Sequence, residues 1–141
     1  VERYGTAYEA SAPAGLGSLF PPPAALAEAP LESIGLTRAR AATIRGLAQA
    51  CVDGRIDFSS QQTLADTVTR LCLLPGIGAW TAHYIAMRAY THPDAFPAGD
   101  LVLRKIIGEG SPLGERAMQL CAEAWRPWRA YAVMLLWRSA G

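Results

Sequence analysis

The chain is short of charge, of cysteine and of long apolar runs, and each shortage closes off a class of explanation. Only 18% of its 141 residues are Asp, Glu, Lys or Arg, and the formal net charge is +1. No basic surface therefore advertises a nucleic-acid partner. Neutrality does not exclude one either, because backbone amides can hold a phosphate without cationic side chains. The cysteines are three, Cys51, Cys72 and Cys121, far apart and with no Cys-x-x-Cys pair. An odd, scattered set fits reduced thiols in a cytoplasmic protein rather than a disulfide framework. His83 and His92 have no metal-ligand spacing with each other or with the cysteines, which argues against a catalytic metal. No apolar run reaches the length of a membrane span, and no secretory pattern opens the chain. No stretch alternates with period two for long enough to make a convincing strand.

What is present is apolar and helical. Half of the residues (51%) are hydrophobic, enough to bury a core without disulfides or metal. We expect one all-α domain over residues 1–141, with 1–23 irregular and rich in Pro, Gly and Ala. A short helix over 24–28 is closed by Pro30. Thr37 can cap a helix running to Val52, with Gly54 as its stop signal. Ser59 and Gln62 fit a capping box for the next helix, which ends at the Pro75-Gly76 turn. Further helices are expected over 79–90, 100–107 and 115–125. The last spans 127–139, with Pro127 in its first turn. Residues 130–137 of that helix are apolar on every side, which places it in the interior.

Two features suggest chemistry. Leu74-Pro75-Gly76-Ile77-Gly78 is a turn at 74–79 between two helix-forming stretches, and its glycines leave no Cβ to keep a ligand away. The helix that follows opens with unpaired N–H groups and a positive dipole end, a receptor for an anion such as phosphate. Downstream, Asp100 heads another helix after the loop 91–99. By position it reads as a helix N-cap; after a phosphate-gripping turn it also suggests an acid working on nucleic acid. Asp94, in His92-Pro93-Asp94-Ala95-Phe96, reads as a turn residue. Trp80 and Tyr84 lie four apart on one helix face. With Trp137 they either fill the core or offer flat faces to a base.

The turn followed by Trp80-Thr81-Ala82 and then Asp100 resembles the helix-hairpin-helix glycosylases of base excision repair. The closing stretch 122–137, with Trp125-Arg126-Pro127-Trp128, narrows the resemblance to the bacterial DNA-3-methyladenine glycosylase II family. Phe20-Pro21 and the segment 34–38 also look like that family. The resemblance implies a helical glycosylase domain lacking an upstream β-rich domain and the first helices, hence a C-terminal fragment with weak activity alone. It implies a monofunctional enzyme that flips out and hydrolytically releases alkylated bases such as 3-methyladenine and 7-methylguanine. Its partner would be double-stranded DNA containing such bases, with no membrane and no obligate protein partner, in the bacterial cytoplasm at the nucleoid.

Residue by residue, Asp100 matches the catalytic acid, and Trp80, Tyr84 and Trp137 match the walls of the base pocket. Amides of Gly76, Gly78 and Trp80 would hold a DNA phosphate. Carbonyls of Cys72, Leu74 and Ile77 could enclose a structural Na+ or K+; no cofactor is required. Trp80 stands where bifunctional relatives carry a Schiff-base lysine, and Lys105, the only lysine, lies beyond the acid. The four-cysteine iron–sulfur cluster of some relatives is absent. Three alternatives stay open: a non-catalytic helix-hairpin-helix DNA-binding module, a glycosylase for oxidised or mismatched bases, and a helical interaction domain.

Overall fold

Short polar side chains and glycines, placed where the first free amides of a helix need an acceptor or open space, set where most of the helices begin. A computed structural model describes residues 1–8, 17–59 and 62–140. The chain forms two compact units, Val1–Asp57 with Leu74–Gly76, and Phe58–Leu73 with Ile77–Gly141. Seven α-helices and one two-stranded sheet make up its regular structure among the described residues, apart from two 3-10 turns, so the class is all-α. None of those helices is long and apolar enough to cross a membrane.

In the first unit, β1 (Thr6–Ala7) pairs antiparallel with β2 (Ser18–Leu19), Thr6 opposite Leu19. These two short strands fall in the stretch expected to be irregular, whose residues 9–16 lie outside the described residues. Next come α1 (Pro23–Ala27) and a 3-10 turn, Leu31–Ile34, closed by Gly35 at φ 90°. α2 (Arg38–Val52) begins at Thr37, whose side chain accepts from the Arg40 amide at 3.4 Å. Ala29, Leu31 and Ala41 form the small core, with Tyr4, Leu26, Leu36 and Ile44 against it. The Arg45 guanidinium grips both oxygens of Glu32, each at 2.9 Å, and holds that carboxyl down at about 2. Gly76 stands at φ 86°, and a Cβ there would lie 2.0 Å from Thr43 Oγ1 on α2.

The second unit contains α3 (Leu64–Cys72), α4 (Ala79–Arg88), α5 (Leu101–Ile107), α6 (Glu115–Ala122) and α7 (Arg129–Ser139). A 3-10 turn, Glu123–Trp125, extends α6. α3 packs on α4, and α5 packs on both α6 and α7. Ala86, Phe96, Leu103, Met118, Ala122 and Val133 are at the centre of the core, with Val68 and Leu136 packed on it. Three expectations are corrected here. α3 starts at Thr63, not at Ser59 with Gln62; Thr63 accepts from the Asp66 amide at 3.1 Å and donates to the Asp66 carboxylate at 2.7 Å. α7 starts at Arg129, not Pro127, which follows a cis peptide bond and precedes the cap residue Trp128. Nor is α7 interior on every side. Tyr131 and Leu135 are 60% and 68% exposed, and the buried face carries Arg129 together with Ala130 and Val133.

Candidate active site

Asp100 is 8% exposed and closes the loop that runs through buried Ala95, Phe96, Pro97 and Ala98. Its amide is turned back onto the Pro97 carbonyl at 2.9 Å, which points the side chain along the start of α5. Oδ1 accepts from the Leu103 amide at 2.9 Å, so Asp100 does cap α5. A cap needs no more than that. Yet Oδ1 also accepts from Trp137 Nε1 at 3.2 Å, and Oδ2 accepts from Trp80 Nε1 at 2.8 Å. Two indole N–H groups, from the second residue of α4 and the last third of α7, thus fix both oxygens.

The rings that carry those donors form one aromatic set with Tyr84, one turn after Trp80. Trp80 and Tyr84 stack at 5.4 Å between centroids and 9° between planes, and Tyr84 meets Trp137 at 6.0 Å and 46°. Trp80 is 42% and Tyr84 38% exposed, so part of the stack faces solvent. A flat ring inserted between Trp80 and Tyr84 would need about 7 Å, two contact distances, between their planes. That gap is not there, so only the outward faces of the stack are open to a flat ligand.

α4 opens directly behind this set. Gly78 is its cap residue, extended at φ −92°, with no side-chain cap; the first backbone bond runs from the Ala82 amide to the Gly78 carbonyl at 2.9 Å. The amides of Ala79, Trp80 and Thr81 therefore have no partner within the helix. A Cβ built on Gly78 would meet nothing within 4 Å, so the cap position itself is uncrowded. Gly76 and Leu74 belong to the first unit, Cys72 and Ile77 to the second. Cys72 is the last residue of α3, and Leu74 and Ile77 are buried.

Two residues that sequence reasoning undervalued line the other side of the loop. Asp94 is more than a turn residue: it accepts from Arg129 Nε at 2.6 Å and from the Arg126 guanidinium. His83, on α4, accepts the Phe96 amide through Nδ1 at 3.2 Å; burial first, and the nearby Arg129 charge second, push its pKa down. The only signal of the Asp94 contact was the pair of arginines around Trp128. Lys105 is on the exposed side of α5, and His92 bonds Thr67 at 3.2 Å.

No family model matches the chain. By sequence it is 39% identical over 119 residues to a probable bifunctional transcriptional activator/DNA repair enzyme AlkA of Mycobacterium tuberculosis, a match covering 84% of this chain and 24% of that protein. It is 32% identical over 125 residues to DNA-3-methyladenine glycosylase 2 of Escherichia coli, covering 86% and 43%. By structure it superposes on a Schizosaccharomyces pombe 3-methyladenine DNA glycosylase, solved in complex with abasic DNA, with a TM-score of 0.77. That match is 21% identical and covers 86% of this chain and 64% of the other, a likeness of fold. The chain thus shares the helical fold of the 3-methyladenine DNA glycosylase on which it superposes. In sequence it is similar to AlkA and DNA-3-methyladenine glycosylase 2, and it spans less than half the length of those relatives.

Proposed function

We propose that this chain carries the catalytic acid and base pocket of a monofunctional DNA glycosylase, which flips out and hydrolytically releases alkylated bases such as 3-methyladenine and 7-methylguanine. The observation that carries the reading is the Asp100 carboxylate, gripped by two indole N–H groups inside a partly exposed aromatic stack. A fold that needed only a helix cap has no use for that arrangement.

The chemistry follows from the parts. A base inside a duplex is out of reach, and flipping it costs a few kcal/mol. Open amides at the start of α4, Gly78 and Trp80 among them, offset part of that by holding a backbone phosphate. Gly76 supplies the left-handed turn that brings the chain to that point. Alkylation at a ring nitrogen makes the purine cationic. An aromatic face attracts such a ring by about 0.5–2 kcal/mol more than a neutral one. The cationic base is also a good leaving group, so little acid assistance is needed and the reaction calls for no cofactor. As the glycosidic bond breaks, positive charge grows on the deoxyribose, and an ionised Asp100 stabilises it. Three of the roughly four acceptor positions of a carboxylate are already filled. The one left, on Oδ2, is free to orient or deprotonate the attacking water.

Lys105 is exposed and lies after the acid, and Trp80 cannot attack a sugar carbon; base release without strand cleavage is the proposed outcome. The proposed setting is the bacterial cytoplasm, at the nucleoid.

The test is Asp100→Asn, read on duplex DNA carrying 7-methylguanine. Base release should fall by roughly a hundredfold or more while DNA affinity is kept. Binding of this DNA with no release, by this chain and by a form extended upstream alike, would leave only the non-catalytic binding module. Because the chain spans less than half the length of its relatives, release is measured on it and on a longer form extended upstream; the longer form should be faster. Borohydride should trap no enzyme–DNA adduct in either, and a trapped adduct would overturn the monofunctional assignment.

A further inference from the structure

We propose that Arg129, through Asp94, is a positioning residue that sets where the Asp100 carboxylate stands; the catalytic consequence rests on the reading of Asp100 given above. Arg129 is 7% exposed, and a charge so buried persists only when it is paired. Its fork closes on Asp94, Nε to Oδ1 at 2.6 Å and NH2 to Oδ2 at 2.8 Å, while NH1 stands 3.9 Å from the more exposed Glu123 Oε1. NH2 also donates to the Asp94 carbonyl at 2.9 Å. The next residue adds a main-chain tie, from the Ala130 amide to the Pro93 carbonyl at 2.8 Å. The first turn of α7 therefore holds the chain at 93–94 by both side chain and backbone.

Eight residues along the same helix, Trp137 Nε1 donates to Asp100 Oδ1. At about 1.5 Å of rise per residue, the two grips stand about 12 Å apart on one rod. The segment 94–100 is strung between them, its residues 95–98 buried and its Phe96 ring 5.9 Å from the Arg129 guanidinium. Both ends of the segment that delivers the acid are thus referenced to α7. A buried ion pair is weak evidence for stability, since a well-packed apolar pair of similar volume often serves as well. What a bidentate fork adds is one allowed geometry, and lysine, a point charge, cannot supply it. Arg126 also reaches Asp94, but from an exposed position and without touching its carbonyl.

The test compares Arg129→Lys, Asp94→Asn and Arg126→Ala with the wild-type chain by two readouts. The first is solvent exchange of the Trp80 and Trp137 indole protons, assigned by tryptophan-to-phenylalanine variants. The second is single-turnover base release beside DNA affinity. Arg129→Lys and Asp94→Asn should each speed indole exchange and lower release by roughly ten- to a hundredfold, with DNA affinity within about twofold. Their combination should be no worse than either alone, as for two halves of one clamp. Arg126→Ala should match wild type in both readouts. Wild-type indole exchange in both Arg129→Lys and Asp94→Asn overturns the proposal. So does a loss of release that merely follows a lower melting temperature. If one variant fails to fold, the other decides. No base release from this chain or from the form extended upstream, with indole exchange that still responds to Arg129→Lys, would sink the glycosylase reading and leave the positioning intact. Release abolished by Asp100→Asn but untouched by Arg129→Lys would do the reverse.

Discussion

Gly76 and Gly78 are two residues apart and are glycines for different physical reasons. Gly76 is required from within: at φ 86° an L side chain is strained, and its Cβ would collide with Thr43 on α2. Gly78 has ordinary extended backbone and open space where a Cβ would go, so neither strain nor a clash asks for glycine there, only its preference over larger apolar residues as the cap of α4. Its bareness also leaves room for something arriving from outside. Gly76→Ala should therefore cost about 2–4 kcal/mol in chemical denaturation, from the left-handed strain plus the overpacking of Thr43. Gly78→Ala should cost about 1 kcal/mol, the loss of glycine's advantage over alanine as a cap. Its affinity for duplex DNA should nonetheless drop about tenfold, through crowding of a charge-assisted amide–phosphate bond. Equal DNA affinity in Gly78→Ala and wild type would remove α4 from the proposed phosphate grip. At this scale the sequence was partly legible. The Asp100 cap and the shared face of Trp80 and Tyr84 follow from spacing along the chain. The bonds from Trp80 and Trp137 to Asp100, and from Arg129 to Asp94, span 20, 37 and 35 residues, and no local pattern announces them.

Elements were easiest to read where their punctuation is local. Thr37, Gly54, Asp100 and Gly108 each mark an end of α2 or α5 because a cap or a stop acts within one turn. The start of α3 was misread because two overlapping signals compete within five residues. Thr63 with Asp66 prevails, since the threonine both accepts the Asp66 amide and donates to its carboxylate. Thr63→Ala should lower stability by about 1 kcal/mol, measured as a shifted urea midpoint with unchanged slope. No shift would mean that α3 is held by packing alone. α7 shows a different limit. Its uniform apolar composition says that some face is buried but not which, and the answer turned on one charged residue. Arg129 is inside because Asp94 is there to meet it, which leaves Tyr131 and Leu135 outside. The 3-10 turn Leu31–Ile34 left no periodic signal at all, being a single tight turn closed by Gly35.

For the molecule as a whole, low charge moves the interesting electrostatics from the surface to the few shielded groups, and His83 is one of them. Its pKa is pushed below the ordinary 6.5 by burial and then by the charge of Arg129, which is itself paired with Asp94. The Phe96 amide donating to Nδ1 likewise requires that nitrogen to be unprotonated. At pH 8 the imidazole is neutral both folded and unfolded, so it contributes no pH dependence. Below about 6.5 the unfolded chain takes up a proton that the folded chain refuses, and stability declines as the pH falls. The decline ends once the pH passes the lower folded value. Glutamine at position 83 can still accept the Phe96 amide through its side-chain oxygen and does not titrate. Between pH 7 and 5, denaturation midpoints of His83→Gln should therefore fall less than those of wild type. Below about 4.5 both proteins should lose stability together, because Glu32, held at about 2 by Arg45, begins to be protonated in the unfolded state first. Identical slopes between pH 7 and 5 would mean that His83 is solvated in the folded chain, and the packing of α4 against the 91–99 loop would then need another account.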